Sequence, residues 1–317
     1  VPLMLLTALF FNDLFQKIPE STLDAAELSN LGSGFQKNGM LYLGYLTRIV
    51  AIDHEGNVHF TFDNKGAGPR EMRSGGPIFN LGQKVFCHDV MGHKLVRFNM
   101  SLEYEKDTSL KGYPSGTIKF TNDGNQIYSL IPQPGGKEVI IEKWDPDKLS
   151  KSDRKTLSVD FYFKRNSLGA TFIGKDKIAL WEEFQVEDHI VLYLYDLSSG
   201  TLDSYGFPNP DFDERARNKP RDNHFAVAKF GISIRAASAD DQNIYLFVEA
   251  YDESPNIIEI SGYRYFAIRK EDMELIQLRE IPYTSASGHQ HDPVQVMKNE
   301  NGEVVVAHSS YFLKQRN

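Results

Sequence analysis

A repeated phrase, a polar or glycine turn followed by a short apolar run, constrains this chain more than any other feature. The runs begin at Leu41 (LYLGY), Val85 (VFCHD), Ile127 (IYSLI), Ile178 (IALWEEF), Ile244 (IYLFVEAY) and Val304 (VVVAHSSYF), 44, 42, 51, 66 and 60 residues apart. The turns that precede them read KNG, GQK, DGNQ, GKDK, DDQN and ENGE. Gly, Asn and Asp accept the backbone angles of tight turns, so each junction has hairpin chemistry. Most runs are followed by further strand-like segments, such as TRIVAID, HEGN and VHFTFD in the first unit or HIVLYLYD, LSSG and TLDSYGF in the fourth. A repeat of about 40–50 residues holding a three- to four-stranded antiparallel meander predicts a propeller blade. Six units predict an all-β, six-bladed β-propeller in which each listed run is an inner strand. An immunoglobulin-like sandwich would leave the period unexplained.

Composition agrees with β structure. Of the 317 residues 12% are aromatic, with 21 Phe and 15 Tyr, and such rings pack well on a pleated, half-buried surface. The charge is −8, from 35 basic and 43 acidic residues, so no positive field draws in a phosphate backbone and nucleic acid is not expected as a partner. Cys87, the single cysteine, reads as a small buried hydrophobe and excludes sites built from several thiolates. The N-terminal VPLMLLTALFF is too short for the roughly 20 residues of a membrane helix, so no span is expected. It is either a buried strand or the remnant of an export leader. The last unit, GEVVVAHSSYFLKQRN, holds material for two strands, which makes the N-terminal segment the candidate to close that blade as its outer strand.

The expected organisation is one domain over 1–317, with residues 1–38 as closing segment and short helix (STLDAAELSNL, with a second short helix in NPDFDERARNK) and 39–317 as blades. Charged, Pro-bearing stretches at 145–155, 207–231 and 251–262 read as loop insertions. The segment Gly66-Ala67-Gly68-Pro69-Arg70-Glu71 reads as the crossing from one blade to the next, with glycines permitting the turn and Pro69 fixing its direction. Its functional alternative is an anion held by consecutive N–H groups and Arg70.

With these meanders and the KGAGPREM segment, the chain resembles the TolB-like six-bladed β-propellers of Bacteroidetes, from about Gly39 to the C-terminus. The resemblance implies an exported protein, periplasmic or associated with the outer membrane. It does not imply an activity, and the apolar start carries no lipobox cysteine.

Aligning the six runs on their first apolar residue puts Tyr45, Asp89, Ile131, Glu182, Val248 and His308 at one level, flanked by His88, Glu183 and Glu249. On inner strands such residues would face a water-filled funnel. Asp89, Glu182 and His308 are the candidate ligands of a divalent cation such as calcium, or a general acid and base; the plain alternative is a hydrated channel lining with no cofactor. His289, His291 and Asp292 in GHQHDP form a second cluster, with both imidazoles on one side of an extended segment. Trp181, Phe184, Tyr251 and Tyr311 are candidates for a platform or for packing between blades, and Trp144 for an outer-strand anchor. No nucleophile elbow, Walker loop, dinucleotide fingerprint or zincin helix is present. Two functions remain. One is a monomeric, non-enzymatic envelope propeller that binds a protein, peptide or glycan; the other is a metal-assisted, lactonase-like hydrolase or lyase.

Overall fold

The computed structural model describes residues 15–17, 31–45, 48–53, 57–74, 77–113, 118–133, 137–159, 168–174, 176–182, 184–185, 188–209, 232–239, 242–253, 258–281, 294–298, 304–308 and 311–315. Within them the class is all-β, and none of the described residues is helical. Apart from Leu31, which begins β2, and Asn209, the two expected short helices lie outside the described residues.

The chain divides into two compact units, 1–109 with 292–317, and 110–291. In the first, β1 (Phe15–Lys17) stands apart in sequence from its sheet. Next come β2 (Leu31–Lys37), β3 (Met40–Tyr45), β4 (Arg48–Ile52) and β5 (Val58–Phe62), which form one meander. A second follows from β6 (Ile78–Leu81), β7 (Lys84–Asp89), β8 (Lys94–Asn99) and β9 (Tyr104–Ser109).

The other unit opens with β10 (Lys119–Asn122), β11 (Ile127–Pro132), β12 (Glu138–Asp145) and β13 (Ser150–Ser158) in one sheet. Then come β14 (Leu168–Phe172), β15 (Lys177–Glu182), β16 (Phe184–Gln185), β17 (His189–Asp196) and β18 (Leu202–Pro208), of which β14, β15, β17 and β18 pair together. Its last sheet is β16-β19-β20-β21-β22, adding β19 (Ile232–Ala239), β20 (Asn243–Glu253), β21 (Ile258–Arg269) and β22 (Leu275–Ile281). The chain then returns to the first unit with β23 (Val294–Lys298), β24 (Val304–His308) and β25 (Tyr311–Gln315), ordered β23-β24-β25-β1.

The six-bladed expectation is corrected here. Five sheets are four-stranded blades; the remaining sheet has five strands and departs from the pattern. The cause is local. Beyond β15, Phe184 and Gln185 pair with Ser233 and Ile232 of β19, so one sheet borrows a strand from the segment between β15 and β17. The strand that pairs with β25 is Phe15–Lys17, and residues 1–11 lie outside the described residues.

Two expected loops are strands. Residues 146–149 make the turn and Ser150 begins β13, which is exposed at 150–156; a charged segment tolerates β structure at the outer edge of a sheet, where Lys also discourages pairing with other chains. The 251–262 excursion extends the β20–β21 hairpin, with its register shifted between Ala250 and Tyr251.

The apolar runs are the second strands of the four-stranded sheets and, for β20, the third of the five-stranded one, rather than inner strands. Neighbouring sheets meet through their first strands: β2 lies against β6 and β23 in one unit, and β14 against β10 and β19 in the other. The second strands are buried on both faces, as in β11, where every residue is buried. That explains their unbroken apolar character. Register is pinned by turns such as Asn38-Gly39 between β2 and β3, with φ of 52° and 72°, the left-handed pair that two-residue hairpins require.

The cores lie between sheets. Leu43, Val50, Met72, Val85, Cys87 and Phe98 fill the space between the first two meanders. There Phe35 stacks on Tyr42 at 4.8 Å, and the Tyr42 hydroxyl donates to the Met100 carbonyl at 2.8 Å. Leu130, Ile141, Leu168, Ile178 and Leu180 do the same between β10–β13 and the β14 sheet. Each such side chain contributes about 1.5–3 kcal/mol on burial.

Candidate functional site

Asp89 ends β7, and its side chain is 0% exposed. Oδ1 accepts from the Ser74 amide (3.0 Å), the Ser74 hydroxyl (3.2 Å) and the Gly92 amide (2.7 Å), while Oδ2 accepts from the Arg73 amide (3.0 Å). The Met91 amide donates to Ser74 Oγ at 3.0 Å, completing a small network. A Cβ on Gly92 would sit 2.0 Å from Oδ2, so only glycine lets the β7–β8 turn close on the carboxylate. The geometry makes Asp89 a brace that holds the 73–74 segment to the end of β7.

The glycine segment before it answers its own anion question. Gly68 donates its amide to Glu71 Oε2 at 2.7 Å, and the Glu71 amide donates back to the Gly68 carbonyl at 3.3 Å. The acceptor at the turn is therefore supplied by the motif. The Met72 amide bonds the Asn64 carbonyl at 2.9 Å and the Gly66 amide bonds the Met72 carbonyl at 3.0 Å, closing the loop as a short bridge. Arg70 sits in the left-handed region at φ 64°, its carbonyl accepting from the Asn64 side-chain Nδ2 at 2.9 Å and its guanidinium lying 5.9 Å from the Tyr104 ring centre. Lys94 anchors the segment from outside, with Nζ 3.3 Å from both the Gly68 carbonyl and Asp107.

At the level shared with Asp89, Ile131 and Val248 are buried hydrophobics and Glu182 is half-buried opposite Leu168. Glu249 and His308 occupy β20 and β24, opposite Ser233 and Val294. Glu183, His289, His291 and Asp292 lie outside the described residues. Asp89 and His308 belong to one compact unit and Glu182 and Glu249 to the other. Among the described residues no three His, Cys, Asp or Glu gather in a way that could hold a metal ion. Trp181 packs rather than presents a platform: its ring lies 2.0 Å from where a Cβ on Gly169 would be, and its Nε1 donates to the Ile234 carbonyl at 3.2 Å. Trp144 is likewise buried, on the third strand of its sheet. Cys87 is buried too.

Two features escaped the sequence reading. A cleft of about 200 Å³ in the second unit is lined by Tyr128, Ile141, Lys143, Asp153, Lys155 and Asp176. Burial, then Asp123, Asp176 and Asp153, push the Tyr128 phenol up to about 12, and its hydroxyl donates to Asp123 at 3.1 Å. Lys155 Nζ donates to the Leu197 carbonyl at 3.0 Å. Charges of both signs beside a phenol suit a polar or zwitterionic group. The second feature is a buried carboxyl, Glu142, joined to Lys151, Tyr113 and Ser129. Both depend on β13, whose charged residues read as a loop, and this hid them.

No protein-family model matches the chain, and no curated protein matches it. Among solved structures it is similar to a DUF4221 family member from Bacteroides vulgatus, 13% identical, with 90% of this chain and 91% of the other covered and a TM-score of 0.58. It is also similar to a candidate exported protein of Bacteroides fragilis, 11% identical, covering 91% of each chain at a TM-score of 0.51. U3-55K is matched at 8% identity and a TM-score of 0.55, covering 96% of this chain and 99% of that one. At such identities the likeness shows the fold alone, an all-β propeller.

Proposed function

We propose that this chain is a binding propeller of the cell envelope, periplasmic or outer-membrane associated, that recognises a protein, peptide or glycan on the loop surfaces of its sheets. The state of Asp89 carries this reading. An acid that serves a metal or a proton transfer needs a lone pair and access to substrate; the Asp89 carboxylate is fully buried and occupied by four donors from its own loops. The mixed-charge cleft beside β13 supports binding by offering several polar contacts of both signs. The similarity to two Bacteroides propellers, one of them a candidate exported protein, supports the envelope location.

The reading is tested by calorimetric titration of the purified chain with panels of envelope oligosaccharides and peptides, with and without chelator. Saturable binding by one class, unchanged by chelator, is expected. Hydrolysis of a lactone or ester panel that depends on a divalent cation would overturn it in favour of the metal-assisted hydrolase.

A further inference from the structure

The Glu142 cluster is built more like a reactive site than a structural ion pair. Glu142 and Trp144 share one face of β12, Ser129 of β11 is paired opposite Glu142, and Lys151 of β13 is paired opposite Trp144 after a register shift. Glu142 is 1% exposed, whereas the Lys151 side chain is 44% exposed. Lys151 Nζ lies 3.2 Å from Glu142 Oε1 and 4.3 and 5.6 Å from the ring centres of Tyr113 and Trp144. Glu142 Oε2 accepts from the Tyr113 hydroxyl at 2.7 Å and from Ser129 Oγ at 3.3 Å, so the carboxyl is locked while the amine beside it can be reached from solvent.

Burial pushes the Glu142 carboxyl up, against Ser129 and Arg154, and pushes the Lys151 ammonium down, with Arg154 adding to the fall. Both shifts act in the same direction, lowering the cost of passing a proton from Lys151 to Glu142. A free amine with an acid in contact is the arrangement that carbonyl condensation needs.

We infer that Lys151 is a covalent capture site for small aldehydes, with Glu142 as its proton donor. The Nζ lone pair adds to the carbonyl carbon, and the oxygen takes up the proton that nitrogen releases, giving a carbinolamine. Glu142 then protonates the hydroxyl, which leaves as water while the nitrogen lone pair forms the C=N bond, and the remaining N–H proton returns to the carboxylate. One aldehyde and one amine give one imine and one water, with no redox partner. The aromatic faces of Tyr113 and Trp144 flank the position where the aldehyde's carbon chain would rest.

The test treats the full chain with propionaldehyde and cyanoborohydride, which reduces the imine to a stable adduct, and maps labelled lysines by peptide mass. Lys148 is the internal control: three residues away, its side chain is 78% exposed, so labelling governed by exposure alone favours Lys148. The expected result is Lys151 labelled about tenfold faster than Lys148, with Glu142→Gln removing the advantage and leaving Lys148 unchanged. Tyr113→Phe, which keeps the ring and removes one of the two donors on Oε2, is expected to lower the advantage in part. Equal rates in the unsubstituted chain, or an advantage that survives in a folded Glu142→Gln protein, would overturn the assignment; if that variant does not fold, an undiminished advantage in Tyr113→Phe does the same. Ribose in place of propionaldehyde separates sources: adducts with both assign the site to aldoses as well, and adducts with propionaldehyde alone confine it to simple aldehydes.

Discussion

Replacing Asp89 by Ala removes an acceptor from three backbone amides, those of Arg73, Ser74 and Gly92, and from the Ser74 hydroxyl. Hydrogen bonds to a charged acceptor are worth about 1.5–3 kcal/mol each, and a stranded buried donor costs about 1–3 kcal/mol. The hydroxyl can turn elsewhere, and water entering the vacated volume would recover part of the loss, so the net is placed at about 4 kcal/mol rather than the sum. Asp89→Asn is milder. Its oxygen can stay where Oδ1 meets three donors, leaving an NH2 facing the Arg73 amide, for a loss of about 2 kcal/mol. Urea denaturation of both variants measures the difference, and hydrogen exchange shows whether the amides of Arg73, Ser74 and Gly92 are the ones released. A loss under about 1 kcal/mol in the Ala variant, with those three amides still protected, would refute the brace. So would equal effects of Ala and Asn.

Three further outcomes follow from the same coordinates. A Cβ on Gly66 would meet Glu71 Oε2 at 2.0 Å, so Gly66→Ala should expel that carboxylate from the Gly68 amide; its cost of about 1–2 kcal/mol should shrink in a Glu71→Ala background, which a double-mutant cycle by chemical denaturation checks. Gly169→Ala pushes on the buried Trp181 ring and its bond to the Ile234 carbonyl, and should cost about 2–4 kcal/mol, read from the urea midpoint together with Trp fluorescence. In the β17–β18 turn the Ser198 hydroxyl, then the Ser199 and Ser198 amides, hold Asp196 down from 3.8 to about 2. A depressed carboxylate stabilises the fold above its unfolded pKa, so this contribution is complete above about pH 4 and lost as pH falls toward 2; Asp196→Asn should flatten that part of the stability profile.

Much of the fold was legible because turns and buried runs obey local rules. KNG, GQK and DGNQ fixed hairpins, and the apolar runs marked strands buried on both faces. That same signal misplaced them by one position within each sheet. The first strands, IFNL, KFTN and LGATF, are short and only partly buried, so nothing in their composition announces the strands at which sheets meet. The borrowed pairing of Phe184 and Gln185 with β19 is decided by partners 49 and 47 residues along, beyond any local pattern. At the candidate site, spacing brought Asp89 to notice but could not show that Arg73, Ser74 and Gly92 turn back on it. Glu142 and Lys151 went unseen because their meeting depends on a register shift between Lys143 and Trp144.

The proposal that Asp89 serves structure and that the protein binds its ligand without a metal is tested most directly by melting the full chain in chelator and in millimolar calcium. An unchanged midpoint is expected, since a cation that does not bind the native state cannot stabilise it. A rise of several degrees that disappears in the Glu182→Ala and His308→Ala variants, both folded in chelator, would contradict the account.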